Sequence, residues 1–339
     1  MKVLVTGGTG YIGSHTVVEL QHKGFDVVIA DNLVNSYQET VDRIAKITGK
    51  LPIFEHIDLT EKHRVDQLFV KYGDIQHIIH FAALKAVGES VQQPLKYYYN
   101  NINSLVNILE AMQKYEVKNL VFSSSCTVYG QSEKLPVTET SPIKQATSPY
   151  GHTKQICEEI ITNTIINSHF NAVLLRYFNP VGAHPSAIIG EFPIGEPNNL
   201  APCITQTAIG KRPELKVFGN DYNTPDGTAI RDYIHVVDLA QSHVAALERF
   251  ISEKNQQQLE TYNIGTGKGF SVLEIIRSFE KVSGVKLKYK IVDRRPGDIE
   301  QIWADTTLAN KKLKWKAQRD IDEMMLSAWK WEQTLNNTK

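Results

Sequence analysis

Tyr150 and Lys154 stand four residues apart, behind Ser148 and Pro149. A serine at the N-cap and a proline at the first helical position predict a helix that starts there. Four residues then make one turn, and the two side chains share a face. The chemistry such a pair permits is removal of a proton from an alcohol. A phenol has an ordinary pKa of about 10, so using it as a base near neutrality means stabilising its phenolate by roughly 4 kcal/mol. An ammonium about 4 Å away, at an effective dielectric of about 20, supplies about that much. Upstream, Ser123-Ser124-Ser125 closes a strand-like run over residues 119–123. A hydroxyl there can relay a proton between a substrate alcohol and the phenolate. A serine hydrolase would use such a serine differently, but Gly-x-Ser-x-Gly is absent from this stretch.

Taking a proton from an alcohol is productive if something nearby accepts a hydride, and the N-terminus offers a place for it. Residues 2–6 form a short β-branched run, followed by Gly7-Gly8-Thr9-Gly10-Tyr11-Ile12-Gly13, a helical pattern to about Lys23, and a second strand over 26–30 ending at Asp31. This order of strand, glycine loop, helix, strand and acid is a dinucleotide-binding unit. Its glycines let the main chain approach a pyrophosphate lying on the helix N-terminus. Asp31, 18 residues after Gly13, suits a ribose 2′-hydroxyl and repels a 2′-phosphate, which favours NAD over NADP.

The elements that position these residues alternate regularly. Helices are predicted near 40–48, from about Thr60 to Tyr72, and over 94–114; strands over 52–56, 77–81, 119–123 and 172–176. Such alternation means a parallel sheet with helices on both faces. Asp58, at a strand end, suits an adenine or caps the helix near Thr60. Lys85, just after the strand over 77–81, suits a ribose or phosphate or faces solvent. After Tyr177-Phe178-Asn179-Pro180 the chain turns loop-rich over 184–202. Further helices are expected near 204–210, over 237–250 and from Ser271, with a strand over 261–264. Arg294-Arg295-Pro296-Gly297-Asp298 is a basic loop whose arginine forks fit diphosphate oxygens or make surface salt bridges.

The 339 residues can bury a large core, and the charged residues balance to a net charge of zero, so no basic excess argues for nucleic acid or an anionic membrane. Cys126, Cys157 and Cys203 lack metal-ligand spacing and read as free thiols. With no membrane-length apolar run and no leader-like start, a cytoplasmic protein is expected, and no metal.

Longer stretches carry a resemblance. GGTGYIGSH (7–15), HFAALKAVGES (80–90), SSSCTVYG (123–130), LRYFNPVGAHPS (175–186), PNNLAPCITQ (197–206), GTAIRDYIHVVDLA (227–240) and RRPGD with WAD (294–298, 303–305) closely resemble the UDP-glucose 4-epimerase family of extended short-chain dehydrogenases/reductases. The resemblance implies a Rossmann-type doubly wound α/β fold with a smaller, mixed α/β C-terminal domain. An NAD-binding domain is expected over 1–179, with part of 235–265 packing back on it, and a UDP-sugar domain over 180–339. It also implies a homodimer, whose helices beginning near Pro94 and Ser148 pair with their copies.

The matching positions imply site residues. For NAD they are Gly7, Gly10, Tyr11, Ile12, Gly13, Asp31, Asn32, Asn35, Asp58, Leu59, Phe81, Ala82, Lys85, Asn100, Tyr150, Lys154, Tyr177 and Phe178. For the UDP-sugar they are Ser125, Tyr150, Asn179, Asn199, Leu200, Lys216, Val217, Phe218, Arg231, Tyr233, Arg295, Asp298 and Ile302. Tyr150, Lys154 and Ser125 are the implied catalytic set, Ser125 because the functional serine is the third of the cluster.

The chain departs from the pattern in places. Cys126 stands where alanine is usual, and His152-Thr153 where lysine and serine are usual. At Ile302, relatives that exclude N-acetylated sugars have tyrosine and those that admit them cysteine, so isoleucine suggests some turnover of UDP-N-acetylhexosamines. A sugar-nucleotide 4,6-dehydratase would carry acids where Ser125-Cys126-Thr127 stands. Another NAD-dependent sugar-nucleotide oxidoreductase would need exchangeable cofactor, and a non-catalytic NAD sensor would need no base.

Overall fold

The computed structural model describes residues 1–295 and 298–337; Pro296 and Gly297 of the basic loop lie outside the described residues. The first half runs β1 (Lys2–Thr6), α1 (Tyr11–His22), β2 (Asp26–Asp31), α2 (Glu39–Thr48), β3 (Ile53–His56), α3 (Lys62–Lys71), β4 (Ile75–His80), α4 (Val87–Gln92), α5 (Pro94–Lys114) and β5 (Asn119–Ser123). A 3₁₀ turn over Cys126–Tyr129 follows, then α6 (Pro149–Ile165) and β6 (Asn171–Tyr177). The remainder is β7 (Asn179–Val181), α7 (Leu200–Ala208), β8 (Leu215–Phe218), β9 (Ile230–His235), α8 (Val236–Ile251), β10 (Leu259–Ile264), β11 (Gly269–Ser271), α9 (Val272–Ser283), β12 (Tyr289–Val292), β13 (Gln301–Ile302), α10 (Thr307–Leu313) and α11 (Ile321–Asn337).

Seven strands form one sheet in the order β10-β6-β5-β4-β1-β2-β3, parallel throughout. Both faces are covered, which is why β5 is buried along its whole length. One face packs Val17, Val18 and Leu20 of α1 with Leu239, Leu247 and Phe250 of α8 against it. The other packs Leu68 and Phe69 of α3, Leu105 and Ile108 of α5 and Ile161 of α6. Strand order reverses between β1 and β4, and the crevice outside the strand ends at such a reversal is where doubly wound folds bind ligands.

The smaller C-terminal part is a mixed sheet in the order β11-β9-β13, with β7 also pairing β9, and a two-stranded β12-β8 ribbon. Val217, Ile275, Phe279, Met324, Met325 and Trp329 form its core. Its helix α9 starts at a capping box made by Ser271 and Glu274, which satisfies two orphan donors reciprocally. Expected spans shift by a few residues. The helix foreseen near 204–210 begins at Leu200 because Asn199 adopts an extended conformation before it. The short strands β7, β8, β9 and β11 to β13 have too little pattern to be read without their partners.

Candidate active site

The β1–α1 turn is shaped by what its glycines lack. Gly7 has φ +68°, and a Cβ there would sit 2.8 Å from the Ala82 nitrogen at the end of β4. A Cβ on Gly13 would fall 2.2 Å from the Gly7 carbonyl oxygen. Gly10 stands at the N-cap of α1 with no side chain to cap it, so a bound anion is the natural partner for the first-turn N–H groups. Tyr11 donates its hydroxyl to the Gly182 carbonyl at 2.6 Å, tying this turn to the end of β7. Ile12, partly buried, packs beside Tyr11 and Val237.

Asp31 is buried at the end of β2 and accepts from the Thr9 nitrogen at 3.2 Å, the Leu33 nitrogen at 2.9 Å and the Ser36 hydroxyl at 3.2 Å. Ser36, not singled out from the sequence, completes this loop; its neighbour Asn35 is exposed. Asn32 donates to Asp58 at 3.3 Å. Asp58 does not cap a helix at Thr60. It accepts from the Thr60 nitrogen and hydroxyl in a local turn, and α3 starts two residues later at Lys62. Leu59 points into the core, and its carbonyl accepts from the Asn107 amide at 2.8 Å. Phe81 and Ala82 follow β4, Phe81 lying 4.6 Å from His243 by ring centroid. Asn100 donates to Asn101, which brackets Leu84 with bonds to its nitrogen and oxygen.

At the carboxyl end of β5 the three serines divide. Ser124 donates to Glu158 at 2.5 Å. Ser125 caps the 3₁₀ turn by accepting from the Thr127 nitrogen at 3.2 Å, and its hydroxyl favours the ionised form of the Tyr150 phenol. The helix carrying Tyr150 starts as expected, Ser148 accepting from the Gly151 nitrogen at 3.1 Å with Pro149 at the first position; such a cap contributes about 1 kcal/mol. Tyr150 and Lys154 are 7% and 4% exposed. Burial, and next to it Tyr177, push the Tyr150 phenol well above its ordinary range, opposed by the Ser125 hydroxyl. Burial pulls Lys154 down to about 8, opposed by Cys157 and Glu158.

The Lys154 ammonium donates to the Ser123 carbonyl at 2.7 Å and lies 4.8 Å from the centre of the Phe122 ring. An amine buried under a strand end takes the carbonyl it can reach, since an unpaired buried charge costs far more. Further positive charge beside the phenol is therefore needed to make it a base.

A nicotinamide dinucleotide fits these residues. The glycine cradle leaves room against the main chain, α1 starts uncapped, and the buried atoms Thr127 Oγ1 and His243 Nε2 have no hydrogen-bond partner, as expected of groups whose partner is a ligand. Tyr177 stands beside Tyr150, and Phe178 packs under the turn with Val128 and Tyr129.

The sugar-nucleotide positions assemble from distant segments. Asn179 begins β7 and pairs with Tyr233 of β9. Arg231, also on β9, donates to the Ile230 and Ile299 carbonyls at 2.9 and 2.6 Å and stands 3.5 Å from Asp298. Arg295 lies over the Phe218 ring at 4.4 Å. Lys216 is exposed on β8, whereas Val217 is buried in the C-terminal core and pairs with Ile291 of β12. Leu200, the first residue of α7, and Tyr233 pack in the C-terminal core. Ile302 is buried among Val128, Tyr129, Val137 and Phe178.

Glu191 was missed, a lone acid in a loop-rich stretch with no pattern to flag it. Largely buried, it accepts from Asn199 at 2.5 Å and stands 3.9 Å from Lys85, and burial raises its carboxyl above the ordinary range. It joins an expected sugar-nucleotide residue to an expected cofactor residue. Among the described residues, no cluster of three or more His, Cys, Asp or Glu could hold a metal, and no helix is long and apolar enough to cross a membrane.

Comparison with known proteins agrees with this geometry. The family model described as GDP-mannose 4,6 dehydratase matches residues 4–327. The UDP-glucose 4-epimerase of Bacillus subtilis is 52% identical, the match covering 98% of this chain and 97% of that one. The crystal structure of a UDP-glucose-4-epimerase from Stenotrophomonas maltophila with bound NAD and formylated UDP-arabinopyranose is 47% identical, covers 100% of both chains and superposes with a TM-score of 0.96. That of the Bifidobacterium longum enzyme in complex with NAD+ and UDP is 45% identical over 100% of both chains, with a TM-score of 0.95. With half its residues shared along nearly its whole length, and no acid in the Ser125-Cys126-Thr127 turn where a dehydratase would carry one, the chain belongs to the UDP-glucose 4-epimerase family.

Proposed function

We propose that this protein interconverts UDP-glucose and UDP-galactose through a transient 4-keto sugar, with NAD as a retained cofactor. The observation that carries this reading is a buried Tyr150 at the start of α6, which packs against the Ser125 turn at the same carboxyl end of the sheet that holds the glycine cradle. Gly7, Gly10, Gly13, Tyr11, Asp31 and Lys154 would hold the dinucleotide. When bound, NAD supplies a hydride acceptor for sugar carbon 4 and a positive charge near the phenol. Tyr150, its phenolate favoured by that charge and by Lys154, takes the proton from the 4-hydroxyl, and Ser125 hydrogen-bonds the same oxygen and relays the proton. Asn199, Arg231 and Arg295 grip the diphosphate while the keto sugar turns its other face, and Tyr150 then returns the proton. Nothing leaves oxidised.

The test is incubation of purified protein with UDP-galactose and no added NAD, followed by NMR of the sugar. UDP-glucose should appear; none, even after NAD is supplied, sinks the reading. Ile302 supports a slower turnover of UDP-N-acetylglucosamine, because its side chain folds into an apolar cluster where a tyrosine would project further. No conversion of that sugar at high enzyme concentration, with the glucose reaction running, removes this extension.

We also infer a homodimer and a cytoplasmic setting. Leu95 and Tyr99 are 80% and 62% exposed on α5, and with Ile102 and Val106 they make a stripe at helical spacing that a second copy would cover. The three cysteines are unpaired, in keeping with a reducing compartment. Light scattering that reports a monomer at micromolar concentration would refute the dimer.

A further inference from the structure

Beneath the Ser125 turn lies an ion pair that the proposed reaction does not use. Glu158 of α6 and Arg176 of β6 have side chains 5% and 7% exposed, 2.7 Å apart. Burying both charges is expensive, and a well-packed apolar pair of similar volume is commonly as stable or more so. Stability is therefore a weak reason for it to be here. Its contacts suggest another. Glu158 lies one turn beyond Lys154 and two beyond Tyr150 on the same helix. Its Oε1 accepts the Ser124 hydroxyl at 2.5 Å and Arg176 Nε at 3.0 Å. Arg176 Nη1 donates to the Tyr129 hydroxyl at 3.1 Å and the Glu139 carbonyl at 3.2 Å, and the Tyr129 hydroxyl donates in turn to Asn263 Oδ1 at 2.6 Å. The pair thus grips both ends of the turn from Ser124 to Tyr129 and fastens it to the helix of Tyr150.

We propose that Glu158 and Arg176 are positioning residues that set the separation and angle between the Ser125 hydroxyl and the Tyr150 phenol. The inference rests on the reading of Ser125 and Tyr150 as the groups that handle the proton. Ser124 is the link through which the strut acts on the turn. A reacting geometry loosened by about 1 Å costs on the order of 10²-fold in rate.

Two variants test it in full-length, NAD-loaded protein. Ser124→Ala cuts the link without stranding a buried charge. It should lower kcat, counted per bound NAD, by about tenfold to a hundredfold, with KM for the UDP-sugar within about twofold and the melting temperature close to wild type. Glu158→Leu combined with Arg176→Met removes both charges together and should lower kcat at least as far. A deuterium isotope effect from substrate labelled at carbon 4 should grow in both variants. A purely structural role would change melting and yield, but neither kcat per bound NAD nor the isotope effect. Turnover per bound NAD at the wild-type value in Ser124→Ala overturns the inference, as does a loss that appears in KM alone; Ser124→Ala decides by itself if the double variant does not fold. Full turnover by Tyr150→Phe would instead overturn the underlying reading.

Discussion

The glycine-turn edge and the arginine-lined edge of this molecule are built on opposite plans. The first is made of main chain. Gly7, Gly10 and Gly13 within seven residues shape a cradle by having no Cβ, and Asp31 closes it from the next strand. The second is made of side chains brought from far apart: Asn199 before α7, Phe218 on β8, Arg231 on β9, and Arg295 and Asp298 on the basic loop. A cradle of main chain is intolerant of added atoms, whereas an array of side chains loses grip one contact at a time. Tyr150, buried with Leu84 and Tyr97 at the start of α6, belongs to neither edge.

The largest effect is expected at Tyr150. Tyr150→Phe should cut turnover about 10³-fold while leaving bound NAD and the melting temperature unchanged; full activity would refute its role as base. Next comes Gly13→Ala, whose methyl group would overlap the Gly7 carbonyl at 2.2 Å. It should cost roughly 2–4 kcal/mol by overpacking and release NAD on gel filtration. Retention of NAD would show that the cradle yields, and the contrast between the edges would fail. Arg231→Ala should raise KM for the UDP-sugar about tenfold to a hundredfold, the worth of a charge-assisted hydrogen bond, with NAD content unaltered. A matching loss of NAD would mean that the edges are not separable.

Lys154 offers a pH test of the cofactor side. Its folded pKa is held at about 8, against an ordinary value near 10.5. Above pH 8 the folded chain sheds this proton while the unfolded chain still binds it, so stability rises with pH up to about 10.5. Cofactor-free wild type should therefore gain stability relative to Lys154→Met between pH 8 and 10 in urea melts, and parallel curves would contradict the buried ammonium. The smallest effect belongs to Ser148→Ala, which removes the α6 cap and should cost about 1 kcal/mol with little change in KM.

Legibility in the sequence follows the same divide. The glycine turn, Asp31 and the Ser148-Pro149 start of α6 can be read because each is a local arrangement a few residues long. The parallel sheet can be read because strands buried on both faces are continuous apolar runs, as in Leu120-Val121-Phe122. The strands β7, β9 and β13 cannot, since each is defined by its neighbour and not by its own pattern. Arg231 and Asn199 are expected through resemblance alone, their spacing in the chain carrying no geometry, whereas Arg295 also stands out in its basic loop. Glu191 and Ser36 left no signal at all. The Lys154–Tyr150 spacing correctly put both groups on one helix, but it could not foresee that the Ser123 carbonyl would engage the amine.

Strand β10 and helix α8 carry a consequence for how the chain comes to be folded. The last strand of the seven-stranded sheet, starting at Leu259, is separated by five intervening elements from its hydrogen-bonded neighbour β6, which ends at Tyr177, and α8 supplies much of the layer against α1. During synthesis, β6 emerges with an apolar, unpaired margin and must wait for Ile264 before that margin is covered. Exposed strand margins of this kind template pairing with other chains. Truncations ending between β6 and β10 should therefore aggregate instead of yielding a soluble nucleotide-binding fragment, and slow translation across this interval would lengthen dependence on chaperones.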